Sequence, residues 1–433
     1  MSPTFSALSI RNYRMYFTGM LASNTGTWMQ RVAQDWLVLS LSEGSGASLG
    51  ITIGLQFVPV LLFSLVGGTL ADRWRRRSLL MTTQALMGAL ALSLGFLTLT
   101  GHVTVPIVYG FSLALGVVSA IDNPSRQAFV GEMVGRDRLT NAVALNSASF
   151  NLGRIVGPSI AGLLIAAIGT GWVFMLNGVS FVIAIIALSM IRSADLVAPN
   201  SGGDRNSVRL SDGFAYLRAR ADLVLVLLIV LAVGTFGFNF QLTLALMAQH
   251  EFGGTAAEFG IFSSALAVGA LCGSLLAARR GAPRLSLVCG AALTFALFET
   301  ASALMPNPVA FALFLPLVGV AALTFSNAAQ SYIQLGTAPR MRGRVMGFYM
   351  LVFFGGTPIG APLLGILADH AGARWTLAIG GLGVMALTVI FAAVLWKRAQ
   401  TAAARSRHDT DLADIPVPTS VRPTEAMSVT SAL

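Results

Sequence analysis

Between short polar interruptions this chain is almost continuously apolar, and the apolar stretches run to about 20 residues or more, the length a helix needs to cross a ~30 Å hydrocarbon core. The pattern predicts twelve spans, near 13–41, 48–70, 78–100, 105–128, 140–168, 172–192, 222–248, 257–278, 285–305, 308–334, 345–368 and 375–396. The first differs from the rest. Asn24, Thr27, Arg31, Gln34 and Asp35 recur at three- and four-residue spacing, which places them along one helical face. Arg31 and Asp35 are four apart and can pair, lowering the cost of burying either. Two readings of that face stay open: an internal structural ion pair, or a polar wall of a central cavity with Asp35 as a protonatable site.

A charge at the centre of a span costs ~2.5–3.5 kcal/mol on insertion scales, so each one is a functional candidate. Arg154 on the fifth span needs a partner or a wet cavity, and would hold either an anionic substrate or another helix. Glu299 stands alone on the ninth span, as a bystander or as a coupling residue. Asn239 and Gln241 on the seventh span, with Asn327, Gln330 and Gln334 on the tenth, add uncharged polar groups. Aromatic residues scattered among them, Trp28, Phe238 and Phe240 included, suit either packing or a mostly apolar cavity with few polar anchors.

The two halves repeat. Gly153-x-x-x-Gly157-Pro158-x-x-Ala161-Gly162 opens the fifth span, and Thr357-x-x-x-Ala361-Pro362-x-x-Gly365 occupies the eleventh, 204 residues later. Arg136-x-Arg138 recurs as Arg340-x-Arg342 at the same offset. Parallel six-helix repeats imply two bundles related by an axis along the membrane normal. The expected domains are 1–192, a six-helix bundle; 193–221, a linker with an interfacial amphipathic helix built on Val208, Leu210, Phe214 and Leu217; 222–398, the second bundle; and 399–433, a disordered tail.

Charge then sets orientation. The chain has 28 Lys and Arg against 18 Asp and Glu, a net charge of +10 in 433 residues, and a mean hydropathy of +0.75. A basic nucleic-acid-binding face is excluded by placement: Arg31 and Arg154 lie well inside spans, Arg374 in a loop of one side, and the other basic residues gather on the opposite side. That asymmetry predicts a multi-pass protein of a bacterial inner membrane with both termini cytoplasmic. Cys272 and Cys289 fall inside apolar stretches, as packing residues rather than a disulfide. The single lysine, Lys397, rules out a phosphate-binding Gly-x-x-x-x-Gly-Lys-Ser/Thr loop. The four histidines lie in loops or the tail without ligand spacing, so no metal, cofactor or catalysis is expected. The first span is too long and too polar for a cleavable leader.

The stretch Gly67-Gly68-Thr69-Leu70-Ala71-Asp72-Arg73-Trp74-Arg75-Arg76-Arg77 joins the second and third spans. Topology would account for its arginines but not for Gly68 and Asp72. It resembles the Gly-x-x-x-Asp-Arg-x-Gly-Arg-Arg loop of the major facilitator superfamily, with Arg75 where that family usually has Gly. The Gly157-Pro158 element resembles the family's antiporter motif. Phe5 to Tyr16, Gly26-Thr27-Trp28 to Leu39 and Asn123-Pro124-Ser125-Arg126-Gln127 look like the branch of enterobactin exporters and macrolide efflux proteins. The Arg-centred motif usual on the fourth span of drug exporters is not recognisable. The resemblance implies an all-α membrane fold of twelve transmembrane helices in two six-helix bundles, working as a monomer. It implies a secondary exporter of small amphipathic molecules by proton antiport and alternating access, its partners being the small-molecule substrate, protons and the lipid bilayer. An uptake symporter is the alternative, and a non-transporting receptor a further one. At the cytoplasmic gate the family places Asp72 against the start of the eleventh span, near Gly343 to Gly347, while Arg76 is suited to reach Asp122 on the fourth.

Overall fold

The computed structural model describes residues 3–196, 210–278, 281 and 283–413, with side chains described except at 3–4, 64–73, 136, 210–212, 278 and 395–413. Among the described residues every regular element is helical. After a short 3-10 turn, Pro3–Ser9, come α1 (Arg11–Leu41), α2 (Gly46–Arg73), α3 (Arg76–Leu99), α4 (Val105–Ile168) and α5 (Thr170–Ser189). The second set is α6 (Leu210–Arg218), α7 (Ala221–Ala232), α8 (Phe240–Leu246), α9 (Ala256–Ala278), α10 (Leu285–Ser302), α11 (Pro308–Gly336), α12 (Arg342–Gly355), α13 (Thr357–Ala371) and α14 (Ala373–Ala413). The expected fourth and fifth spans are the arms Val105–Gly135 and Asp137–Ile168 of α4. They part at Gly135, whose φ of 66° and ψ of −178° lie in a region essentially closed to residues with a Cβ.

Eleven helical stretches among the described residues are long and apolar enough to cross a membrane. The one expected span missing from that set is α1, because Asn24, Gln30, Arg31, Gln34 and Asp35 dilute it. It is sheltered instead by packing against α4 and α5, and there its polar groups find partners: the Asn177 amide of α5 donates to Gln30 Oε1 at 2.5 Å. Packing sorts the helices into α1–α5 and α7–α14, joined chiefly where α2 meets α13 and where α4 meets α9. Twelve crossings return the chain to the end at which it began, called here the terminal end; the other is the distal end.

Several expectations change. The loop after the second span is only Trp74–Arg75, because α2 runs on through Arg73. Gly68, Asp72 and Arg73 are therefore helical in backbone, and their side chains lie outside the described residues. Arg75 takes an extended conformation, φ −64° and ψ 111°, and needs no glycine to make this turn. Arg77 caps α5, donating to the carbonyl oxygens of Leu188 at 2.9 Å and Ser189 at 2.6 Å, where a cation meets the negative helix end. The linker helix α6 packs on the second helix group: a Cβ at its Gly213 would be 3.1 Å from Phe348 of α12, and Tyr216 Oη accepts from Ala338 N at 3.2 Å. Residues 197–209 of that linker are outside the described residues, as are 414–433 of the tail. Residues 399–413, expected to be disordered, continue α14 as helix, consistent with the strong helix propensity of the alanines at 399 and 402–404.

Candidate transport cavity

The seventh span is broken where it matters. Between α7 and α8 the backbone makes a π-helical turn over Val233–Gly237, and Asn239 stands at φ −100°, ψ 35°. Small residues allow this: a Cβ at Gly234 would sit 2.9 Å from Phe353 O, and one at Gly356 would sit 2.6 Å from Gly234 C and Thr235 N. A discontinuous helix exposes backbone and re-aims side chains, as ligand sites in membrane helices commonly require. Phe238, Asn239, Phe240 and Gln241 from this break line a central cavity of about 190 Å³, together with Trp28, Arg31 and Asp35 of α1, Arg154 and Pro158 of α4, and Phe57 of α2.

The structure thus gathers Arg31, Asp35, Arg154, Pro158, Asn239 and Gln241, with the aromatic residues Trp28, Phe238 and Phe240, from those singled out in the sequence. It separates the others. Gln34 lies about 100° round the helix from Asp35, is buried, and donates to Ser112 Oγ of α4 at 2.8 Å. Asn24 lies roughly 10 Å along the helix from Arg31 and donates to Ser149 Oγ at 3.2 Å. Asn327 ties α11 to α9 through Ser274 Oγ at 3.4 Å, and neither it nor Gln330 lines the cavity. Glu299 is fully buried, with neither carboxylate oxygen hydrogen-bonded. It lies beside the broken span instead of in the cavity, Oε2 being 3.2 Å from where a Gly237 Cβ would stand.

Within the cavity Arg31 and Asp35 do not form the ion pair that their spacing allows. The Arg31 guanidinium lies over the Trp28 ring, 4.7 Å from its centroid, and its Nε is buried without a hydrogen-bond partner. Asp35, 3% exposed, accepts instead from Gln241 Nε2 at 3.3 Å, a bond that crosses from the first helix group to the second. Asn239 spends its amide N–H on Thr235 O at 2.8 Å and leaves Oδ1 unpaired.

Towards the terminal end a second polar cluster is buried inside the first helix group. Asp122 ion-pairs with Arg126 one turn on and accepts from Thr83 Oγ1 at 2.6 Å and Gln84 Nε2 at 2.9 Å. Arg126 Nη1 reaches Asn24 Oδ1 at 3.3 Å. Arg126 is a partly buried cation that charge placement did not single out, although its position one turn from Asp122 was visible. The expected Arg76–Asp122 pair is corrected: Arg76 binds Glu132 at 2.6 Å, and Glu132 stands about 15 Å along α4 from Asp122. Replacing Asp122 by Ala would strand Arg126 without its counter-charge, a class of change that costs about 3–5 kcal/mol. Thermal unfolding in detergent should show that loss for Asp122→Ala, with Asp122→Ala/Arg126→Ala costing less than the sum of the single changes. Arg76→Ala combined with Asp122→Ala should be additive within about 0.5 kcal/mol. Strong coupling in that second pair would contradict the arrangement.

The Gly153, Gly157, Pro158 and Gly162 element is a seam with two faces. A Cβ at Gly153 would stand 3.1 Å from the Asn24 and Thr25 backbone, and one at Gly157 2.8 Å from Trp28 Cβ, so this edge seats α1. A Cβ at Gly162 would stand 2.5 Å from Ala256 O of α9, and Ser159 Oγ meets Ser264 Oγ of α9 at 2.7 Å. The distal end is closed by α2 and α13. Asp369 accepts from Gly46 N at 2.5 Å, Ala47 N at 3.0 Å and Ser45 Oγ at 3.1 Å, capping the N-terminus of α2. Among the described residues, the hydrogen bonds joining the two helix groups all lie in the middle or distal half: those of Asp369, Ser159 with Ser264, Ser264 with Ile155 O, and Gln241 with Asp35.

Two helix groups closed over a central, mostly apolar cavity, with a broken helix at its wall, define a multi-pass membrane transporter of the major facilitator type. Solved structures share the fold: a bacterial homologue of the human lysosomal transporter Spinster, inward-facing and unoccupied, superposes with a TM-score of 0.66 at 16% identity, over 91% of this chain and 96% of that one. A D-xylose–proton symporter does so with a TM-score of 0.67 at 12% identity, over 87% and 97%. The chain belongs to the transmembrane secretion effector family, whose model matches residues 2–425. It is 23% identical to the staphyloferrin A transporter of Staphylococcus aureus (strain NCTC 8325 / PS 47) over 385 residues, 87% of this chain and 95% of the relative. It is 26% identical to the enterobactin exporter of Shigella boydii serotype 4 (strain Sb227) over 406 residues, 91% and 92% of the two chains.

Proposed function

We propose that this protein exports small amphipathic molecules, siderophore-like metabolites or drugs among them, across a bacterial inner membrane by alternating access, drawing on the proton gradient. The cavity carries this reading. It sits between the two helix groups, is walled largely by aromatic and aliphatic side chains, and holds a few buried polar anchors, the composition that suits an amphipathic ligand. The enterobactin exporter among the relatives supports a secreted metabolite as substrate, and the staphyloferrin A transporter supports a transported metabolite. The concentration of arginines at the terminal end supports placing that end in the cytoplasm, and the closed distal end fits an inward-facing or occluded state. Asp35 is the proposed proton site, because its bond to Gln241 is a link between the groups that a proton would alter. Glu299 keeps a supporting role beside the broken helix. In the opposite state Asp72 is proposed to cap α12 near Gly343, the same chemistry by which Asp369 caps α2 at the distal end. Inverted membrane vesicles test the function: an imposed inside-acid gradient should drive uptake of a catecholate siderophore or a macrolide, and dissipating the gradient should stop it. Uptake indifferent to the gradient for every compound would reject proton-driven export.

A further inference from the structure

The cavity's charges do not balance. Arg31 and Arg154 both line it, and Asp35 is the one acidic residue among its lining residues. Both guanidinium groups lean on the same indole, 4.7 Å and 5.9 Å from the Trp28 ring centroid. Among the described residues neither forms a salt bridge, and Arg31 Nε is buried without any acceptor. A ring face attracts a cation, but two cations sharing one ring still repel each other, and a buried guanidinium wants an anion and hydrogen-bond acceptors. Asp35, one turn from Arg31, makes no ion pair with it: its Oδ2 accepts from Gln241, and one acid could answer only one of two arginines. The arrangement is held in place, since Gly157 packs against Trp28 Cβ and Gly153 against the α1 backbone next to it. A planar guanidinium presents parallel N–H donors matched to an acidic group with two oxygens. Beyond the arginines the walls turn apolar, with Phe57, Phe238, Phe240 and Leu266.

We propose that Arg31 and Arg154, set about Trp28, form the anion subsite of the transport cavity, and that the substrate is an organic anion whose acidic group is carried on an aromatic or other apolar body. This deepens the exporter reading by naming its substrate class. The acidic group takes the unfilled donors of the arginine pair, and the apolar body lies against the phenylalanines of the broken seventh span and α2. Substrate and proton then occupy different groups, the anion on the arginines and the proton on Asp35.

The test is equilibrium binding to the full-length protein in nanodiscs, with three probes of one shape: 1-pyrenebutyrate, its uncharged methyl ester, and the cationic 4-(1-pyrenyl)butylamine. The wild-type protein should bind the carboxylate about tenfold or more tightly than either of the others, as charge-assisted hydrogen bonds to a desolvated anion would give. Arg31→Gln and Arg154→Gln should each remove most of that preference, leave methyl-ester binding within about twofold, and be partly rescued by Lys at the same position. Equal binding of the three probes by wild-type protein, a preference for the amine, or no carboxylate binding up to its solubility would overturn the proposal without need of any variant. So would a preference that survives both Arg→Gln changes. Because binding is measured without transport, carboxylate selectivity here together with gradient-independent uptake in vesicles would reject proton-driven export and leave the anion subsite standing.

Discussion

Gly50→Leu and Gly365→Leu should each cost the protein at least tenfold in transport while leaving it folded and inserted. A Cβ at Gly50 would fall on the Ala361 carbonyl, and one at Gly365 on the Gly46 carbonyl, so α2 and α13 approach backbone to backbone along the distal seam. Forcing a side chain into a close-packed contact costs about 1–3 kcal/mol. Here the molecule need not pay by unfolding, because the groups can part at that end. A shift of about 1.4 kcal/mol between two conformations is tenfold in their ratio, so a transporter whose states are close in energy would be driven to the distally open one. Spin labels at Glu43→Cys and His370→Cys, in a background lacking Cys272 and Cys289, should report a longer distance in either variant. Asp369→Asn should move the populations in the same direction by less, since a carboxylate at a helix N-terminus contributes ~0.3–2 kcal/mol. Gly110→Val is the control: no described atom lies within 4 Å of a Cβ there, and transport should be unchanged. An unaltered distance distribution in the Gly50 and Gly365 variants would mean that this seam does not gate the distal end.

Asp35→Asn should abolish gradient-driven efflux, by tenfold or more, while exchange of substrate down its own gradient persists. The side chain is 3% exposed, lines the cavity and bonds across the helix groups to Gln241. Asparagine keeps the shape and an acceptor oxygen for Gln241 but cannot exchange a proton, so a coupling role and a packing role separate. If Asp35 were only a structural partner of Gln241, the amide would substitute with little loss. Paired vesicle assays with and without a pH gradient, at matched membrane abundance, decide it. Asp35→Glu should restore part of the coupled rate, and full coupled efflux by Asp35→Asn would remove Asp35 from the mechanism.

Much of this was legible in one dimension. Apolar run length predicted the spans, since a helix must satisfy its own backbone in hydrocarbon and each crossing needs a similar number of residues. The Gly-x-x-x-Gly-Pro pattern of the fifth span pointed to the helix seam that Gly153, Gly157 and Gly162 form against α1 and α9. Of the polar face of α1, Arg31 and Asp35 line the cavity beside Arg154 and Asn239, while Asn24 and Gln34 bond to Ser149 and Ser112 of α4 instead.

What the sequence could not decide was partnership. Spacing of four made Arg31–Asp35 a reasonable pair, and neighbouring span ends made Arg76–Asp122 one, yet Arg31 turns to Trp28 and Asp35 to Gln241, 206 residues away, while Arg76 takes Glu132 and Asp122 takes Arg126. The break in the seventh span was equally hidden, for Val233–Gly237 reads as ordinary apolar helix until Gly356 and Gly360 of another span press against it. Nor did the acid at Asp369 stand out among loop charges before the fold laid it on the N-terminus of α2. By itself the sequence determined which segments enter the membrane and which faces carry polar groups, because hydrocarbon acts on each segment separately through its own composition. Only the tertiary structure decided which buried charge meets which, because a side chain's partner depends on the rotation and depth of a second helix that its own neighbours in sequence do not encode.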